Sequence, residues 1–173
     1  MKAYYKDDYV TIYNCSTETM ESDVIVLDPP FPCPNAHKFK ATTYYIFCGN
    51  HYNFYAEQFQ GKTIHGVKCK FYTPDSKARF RWISADIVLV VGNVYVPGDG
   101  SYLTKPERER YNDWERPVEL MMNFLGSSSG MILDPFMGSG ATLVAARMMG
   151  KQATGYEIKG ELCEIAAERC RKC

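Results

Sequence analysis

"MILDPFMGSGATLVAARMMGKQATGYEI", residues 131–158, decides how this chain folds. A short apolar run enters a turn in which Gly138 and Gly140 stand one residue apart. A helix-like apolar stretch follows, and a second strand-like run ends in the acid Glu157. Strand, tight turn, helix and strand form the unit that opens a nucleotide-binding α/β sheet. Two glycines there let the backbone approach a ligand and turn sharply, and the helix start offers unpaired N–H groups with partial positive charge. Glu157 lies about twenty residues beyond the turn, where a carboxylate accepts both hydroxyls of a ribose. Such a unit normally comes first in its fold, yet here it stands near the end of the chain.

The turn is selective about its nucleotide. No lysine follows Gly140, so the phosphate-cradling loop of the nucleoside triphosphatases is excluded, and Leu143 stands where a dinucleotide site wants a third glycine or alanine. A lone G-x-G is a weak signal that a plain strand–helix turn also produces. Asp134, both glycines, the helix and Glu157 together are more specific, and they suit a ligand with a ribose and a carboxylate but no pyrophosphate.

Upstream, the β-branched and aromatic runs predict strands at residues 9–14, 23–28, 43–49, 65–72 and 85–92, which join those at 131–134 and 153–158. The continuous "VIVL" and "IVLVV" predict strands buried on both faces. Pro117 suits a helix start before "VELMMNFL" with Gly126 as its stop, Gly150 suits the end of "ATLVAARMM", and "ELCEIAAERC" places Leu162, Ile165 and Ala166 on one face. The expectation is a single α/β domain with an open, mostly parallel sheet flanked by helices.

With 173 residues, 46% of them apolar, the chain can bury a core, and 20 basic against 20 acidic residues give no net charge. That balance excludes a protein that grips nucleic acid by charge alone. "MKAYYKDDYV" has no apolar export core, and "DIVLVVGNVYV" falls far short of the roughly 20 residues of a spanning helix, so a cytoplasmic protein without a membrane role is expected. Seven scattered cysteines then read as reduced thiols. Cys170 and Cys173, with Cys163 upstream, lack a nearby fourth ligand among His37, His51 and His65, so no metal is expected.

The second signal is "VIVLDPPF". Asp28 ends a buried strand, and Pro29 and Pro30 fix φ and remove two backbone donors. The result is a stiff turn that shows a carboxylate and bare carbonyls, followed by the ring of Phe31. An amine needs two acceptors and no competing donor, and this turn supplies them. A rigid loop with a capping Asp is the plainer reading of an isolated D-P-P.

"DPPF" taken with "LDPFMGSGATLVAA…GYEI" resembles the S-adenosylmethionine-dependent DNA amino-methyltransferases, and among them the adenine-N6 enzymes of the permuted beta class. In that class the catalytic half precedes the cofactor half, which accounts for the late glycine turn. The resemblance covers nearly the whole chain. It implies a Rossmann-like, circularly permuted sheet of seven strands, order 3-2-1-4-5-7-6, with one antiparallel strand and the nominal first strand arriving sixth. It divides the domain into a catalytic half (residues 1–96), a short loop (97–115) and a cofactor half (116–173).

The same resemblance assigns roles. Asp28, Pro29, Pro30 and Phe31 become the catalytic turn, with Asp28 and the Pro29 carbonyl accepting the two N–H bonds of the amine and Phe31 stacking on an adenine flipped out of the duplex. S-adenosylmethionine would meet Asp134, Pro135, Phe136, Gly138, Ser139, Gly140, Thr142 and Glu157. "ERPVELMMNFL" is similar to the Q-K-P-x-E-L segment beside the cofactor's methionine end, with Arg116 replacing the usual lysine. "YVTIYNCS" is similar to the strand that ends in G-D, and Asn14 takes the place of the acid.

Related enzymes carry a sizeable insertion that reads DNA sequence. Here "VPGDGSYLTKPERERYNDWE" is too short for a folded module, which implies short or relaxed recognition or help from a second subunit, in a compact form that resembles phage-encoded members of restriction-modification type. Phosphate contacts are expected from Lys68, Lys70, Lys77, Arg79 and Arg81, with Lys62 nearby and Lys38 beyond the catalytic turn; solvated lysines on a strand pair are the plainer reading. "NHYNFYAEQF" is a lesser candidate for stacking on DNA. Permuted relatives are often dimers, though no interface is legible. Cytosine-N4, RNA and protein-amide methylation, and a cofactor-binding subunit that needs a partner, remain open alternatives.

Overall fold

The structure, a computed structural model, describes residues 2–17, 19–30, 32–72, 83–94, 101–104, 111 and 115–173. Nine strands are present among them: β1 (Tyr5–Lys6), β2 (Val10–Tyr13), β3 (Val24–Leu27), β4 (Thr43–Phe47), β5 (Ile64–Tyr72), β6 (Ile83–Val91), β7 (Ser101–Thr104), β8 (Ile132–Asp134) and β9 (Ala153–Tyr156). The helices are α1 (Tyr52–Gln58), α2 (Val118–Gly126), α3 (Ala141–Met148) and α4 (Gly160–Arg171). All strands join one sheet in the order β1-β2-β9-β8-β3-β4-β6-β5-β7.

The seven expected strands are all there, and without the two edge strands they run β2-β9-β8-β3-β4-β6-β5. With the glycine-turn strand numbered one, that is the order 3-2-1-4-5-7-6, and β6 is the antiparallel member between β4 and β5. The glycine-turn strand β8 comes sixth among these seven along the chain, as expected. The strand count is corrected from seven to nine. β1 is only two residues long and pairs antiparallel to β2, and β7 pairs parallel to β5 inside the segment expected to be loop. Edge strands this short are held by their neighbour's free backbone groups, so their own sequence scarcely announces them.

Alternation along β3 splits the core. Val24 and Val26 join Ile132, Leu120, Phe124, Leu143 and Ala146 on the face covered by α2, α3 and α4. Ile25 and Leu27 join Phe39, Tyr44, Ile46, Tyr55 and Leu89 on the face covered by α1 and the segment after β3. Both faces are therefore buried, as parallel strands require.

Two glycines set how closely the cofactor half packs. Gly140 has φ +84°, and a Cβ there would lie 2.7 Å from the Ala166 Cβ, so its absence lets α3 start against α4. A Cβ on Gly155 would lie 2.5 Å from the Met137 sulfur and 2.9 Å from Leu143, so its absence lets the turn lie down on β9. Gly150, at φ +65°, ends α3 as expected. The buried face of α4 differs from expectation. It comprises Cys163, Ala166, Ala167, Arg169 and Cys170, with Leu162 and Ile165 only half-buried. The small Ala166 allows the close approach at Gly140, and Leu162 and Ile165 lie to the flank.

Candidate active site

Asp28, Asp134 and Glu157 follow or end β3, β8 and β9, which are neighbours in the sheet. The register pairs Ile25 with Leu133 and Asp134 with Gly155, so the three carboxyl groups emerge along one edge. Asp28 and Pro29 are half-buried and Pro30 is exposed; Phe31 lies outside the described residues.

The Asp28 carboxylate is held by Arg116, whose Nε donates to Oδ2 at 2.7 Å and whose Nη2 donates to Oδ1 at 2.9 Å. Both side chains are about one-fifth exposed, at 24% and 21%. The Arg116 guanidinium also lies 4.9 Å from the centre of the buried Phe47 ring, and Pro117 follows it as the N-cap residue of α2. Arg116, expected at the methionine end of a cofactor, lies in this structure on the Asp28 carboxylate.

The chain beyond the Asp28-Pro29-Pro30 turn is braced by α1. The Cys33 N–H donates to Tyr55 Oη at 3.0 Å, and Gln58 Nε2 donates to the Cys33 carbonyl at 3.1 Å. The sequence pointed to the stretch that holds these two residues only as a stacking surface, because a seven-residue helix with one fully buried side chain shows little periodicity.

In the glycine turn, Asp134 is buried, and its Oδ1 accepts from the Phe136 N–H at 3.0 Å while the Thr142 hydroxyl also donates to it. Burial pushes its pKa up to about 7, and the charges of Asp28 and Glu157 push the same way, against the pull of the two hydrogen bonds. Pro135 is buried, Gly138 has φ +53°, and the Phe136 ring meets Phe39 edge-on at 6.5 Å.

Ser139 faces inward. Arg169 Nη1 donates to its carbonyl at 3.0 Å and approaches its hydroxyl at 3.3 Å. The same guanidinium forms a buried ion pair with Glu115 and lies 4.8 Å from the centre of the Tyr111 ring, while the Tyr111 N–H donates to Glu115 at 2.8 Å. Sequence reasoning missed Arg169 and Glu115. A usable signal existed, because Arg169 falls three residues after the buried Ala166, a charge on a helix face that otherwise packs.

Glu157 is half-buried, and its Oε1 accepts from the Lys159 N–H at 2.8 Å. Asn14 is a strut, with Nδ2 donating to the carbonyls of Glu157 and Ile158 at 2.9 and 3.0 Å. A carboxylate there would have no proton to give either carbonyl, which is a physical reason for an amide in place of the acid.

Among the nucleic-acid candidates, Lys38 is exposed in a 3-10 turn (Ala36–Lys38), and Lys68 and Lys70 lie on β5. Lys77, Arg79 and Arg81 lie outside the described residues. Lys62 is engaged by the Tyr44 and Phe59 rings, at 4.7 and 5.7 Å from their centres. On α1, Tyr52 and Phe54 are exposed. Among the described residues no group of three or more His, Cys, Asp or Glu could hold a metal, and no helix is long and apolar enough to cross a membrane. Burial pushes the Cys163 thiol up to about 11 and Cys170 up to about 12, so neither is a ready thiolate. An open cavity of about 530 Å³ lies between Ser128 and Met131 and beside Lys151, at the opposite strand ends and away from the three carboxyl groups.

Comparison with known proteins places this geometry. The N6/N4 methyltransferase family, described as DNA methylase, matches residues 3–168. The type II methyltransferase M.ScaI of Streptomyces caespitosus is 40% identical over 52 residues, 30% of this chain and 17% of that protein. The type II methyltransferase M.HindIII of Haemophilus influenzae is 33% identical over 66 residues, 36% of this chain and 21% of that protein. The matched segment thus spans about a fifth of these relatives' length. The structure of the M1.HpyAVI–SAM complex superposes with a TM-score of 0.67 at 18% identity, over 93% of this chain and 99% of that one. The cytosine-N4-specific PvuII DNA methyltransferase gives 0.73 at 11% identity, over 97% and 88%. At these identities the structural likeness is one of fold.

Proposed function

The chain belongs to the N6/N4 DNA methylase family, and from that premise we propose that it is a site-specific DNA methyltransferase that transfers a methyl group from S-adenosylmethionine to the N6 amine of adenine. The observation that carries this reading is the emergence of the Asp28 turn and the glycine turn from the neighbouring parallel strands β3 and β8. An amine acceptor and a nucleoside-binding turn therefore share one edge of the sheet.

The donor set fits the cofactor. The charges of Asp28 and Glu157 act on Asp134 along this edge, an arrangement that repels a pyrophosphate and suits a cation. Glu157 would hold the ribose, and Asp134 and the turn from Gly138 to Gly140 would follow the body of the ligand. When bound, S-adenosylmethionine supplies an electrophilic methyl group on a sulfonium. The protein's part is positioning and electrostatics. Asp28 accepts one N–H of the amine and the Pro29 carbonyl accepts the other, which favours a pyramidal nitrogen with its lone pair directed at the methyl group. Asp28 also stabilises the positive charge that grows on that nitrogen, and Phe31 stacks on the extruded base.

The class is the permuted beta form, with residues 1–96 as the catalytic half, 116–173 as the cofactor half and the short segment 97–115 between them. Its length supports short or relaxed recognition, in the cytoplasm, of the type II restriction-modification kind. The experiment is methyl transfer from labelled S-adenosylmethionine to duplex DNA, single-stranded DNA, RNA and protein, followed by digestion to nucleosides, with Asp28→Ala as control. Label in N6-methyladenine that is lost in Asp28→Ala supports the proposal; label in N4-methylcytosine, RNA or protein overturns the substrate. Cytosine-N4 is the second reading, since a fold this similar serves the cytosine-N4-specific PvuII enzyme; Asp28 favours adenine, because cytosine enzymes more often carry Ser there.

A further inference from the structure

We propose that Arg116 is a latch on Asp28, and that the carboxylate of the cofactor's amino-acid arm opens it. The inference rests on the methyltransferase reading above. Arg116 presents one N–H to each oxygen of Asp28, at 2.7 and 2.9 Å. A substrate amine must donate one N–H to this same carboxylate, so the guanidinium competes for the acceptor before any base arrives. It also neutralises the charge that would stabilise a growing cation on the amine. The arrangement in the structure is therefore a closed state of the site.

The strand order shows what could open it. β9, β8 and β3 are consecutive, so the Glu157 end and the Asp28 end are separated by two strand spacings, roughly 10 Å. A ligand that starts with its ribose at Glu157 crosses the glycine turn and reaches Asp28 with its sulfonium. The reactive methyl and the amino-acid arm share that sulfur, so the arm's carboxylate arrives beside Arg116. A neutral amine offers the guanidinium nothing in exchange for Asp28, whereas a carboxylate replaces like with like. The Phe47 ring beneath the guanidinium gives it a fixed platform on which the exchange takes place. The consequence is order: the cofactor binds first and exposes Asp28, and only then is the base accepted.

A binding cycle without DNA tests this. S-adenosylhomocysteine, which has the carboxylate, and 5′-methylthioadenosine, which lacks the amino-acid arm, are titrated calorimetrically into the wild type, Asp28→Ala, Arg116→Gln and the double variant. Removal of Asp28 frees the guanidinium, so Asp28→Ala is expected to bind S-adenosylhomocysteine about threefold to tenfold more tightly, the range for a partly exposed ion pair. Its affinity for 5′-methylthioadenosine should stay within about twofold of wild type, and in the Arg116→Gln background Asp28→Ala should have no such effect on either ligand. A gain in affinity is not produced by a damaged fold. Equal tightening for both ligands, tightening that persists without Arg116, or no tightening overturns the latch and leaves the methyltransferase reading intact. Failure of both ligands to bind the wild type overturns the cofactor reading and the latch with it.

Discussion

Replacement of Asp134 by Asn tests the electrostatics of the glycine turn directly. The Asp134 carboxyl is 3% exposed, and its pKa rises from 3.8 to about 7 through burial, with Asp28 and Glu157 adding to the shift. A rise of that size corresponds to about 4 kcal/mol between the two protonation states, an upper figure for a group this buried. The folded state holds the proton more tightly than the unfolded chain, so the penalty is absent below pH 4, where both are protonated. It grows as the pH rises from about 4 to 7, and it is complete above 7. Asn is neutral throughout, and it can still accept from the Phe136 N–H. Asp134→Asn should therefore match the wild type in stability near pH 4 and exceed it by about 2–4 kcal/mol at pH 8. Urea unfolding across this range, taken as a difference between the two proteins, cancels the carboxylates they share. A variant less stable than wild type at pH 8, or a difference independent of pH, would refute the reasoning. On the proposed function, which sets Asp134 beside the cofactor, S-adenosylhomocysteine binding measured by calorimetry should also weaken in the same variant, because a negative charge near the ligand is gone.

Other outcomes follow from single contacts. Gly140→Ala forces a left-handed Ala and a Cβ 2.7 Å from the Ala166 Cβ, and should lower stability by about 2–4 kcal/mol in urea unfolding; a loss under about 1 kcal/mol would show that α3 and α4 shift apart freely. Arg169→Met leaves Glu115 buried and unpaired, for a loss of about 3–5 kcal/mol, and adding Glu115→Gln should recover much of it in thermal unfolding; no recovery would mean the ion pair is not the cause. Asn14→Asp sets a carboxylate against the carbonyls of Glu157 and Ile158, and should cost about 1 kcal/mol and weaken S-adenosylhomocysteine binding measured by calorimetry. Unchanged affinity would remove Asn14 from the cofactor's surroundings.

The elements that the sequence determined by itself are those whose cause is local. Branched and aromatic runs marked the seven inner strands, Pro117 and Gly150 bounded helices, and the glycines at 138 and 140 with the prolines at 29 and 30 announced two turns whose backbone permits little else. Partnership between distant polar groups was not legible. Arg116 reaches Asp28 across 88 residues, Arg169 reaches Glu115 across 54, and Asn14 reaches Glu157 across 143. Periodicity reports which residues are buried, but it does not say which strand becomes whose neighbour. Only the tertiary order β9-β8-β3, with α2 and α4 packed behind it, sets a guanidinium on the Asp28 carboxylate and a second one on the back of the glycine turn. The sequence therefore specified the chemistry of the site, and the fold decided how its charges are paired, because Coulomb and hydrogen-bond energies depend on distance in space and not along the chain.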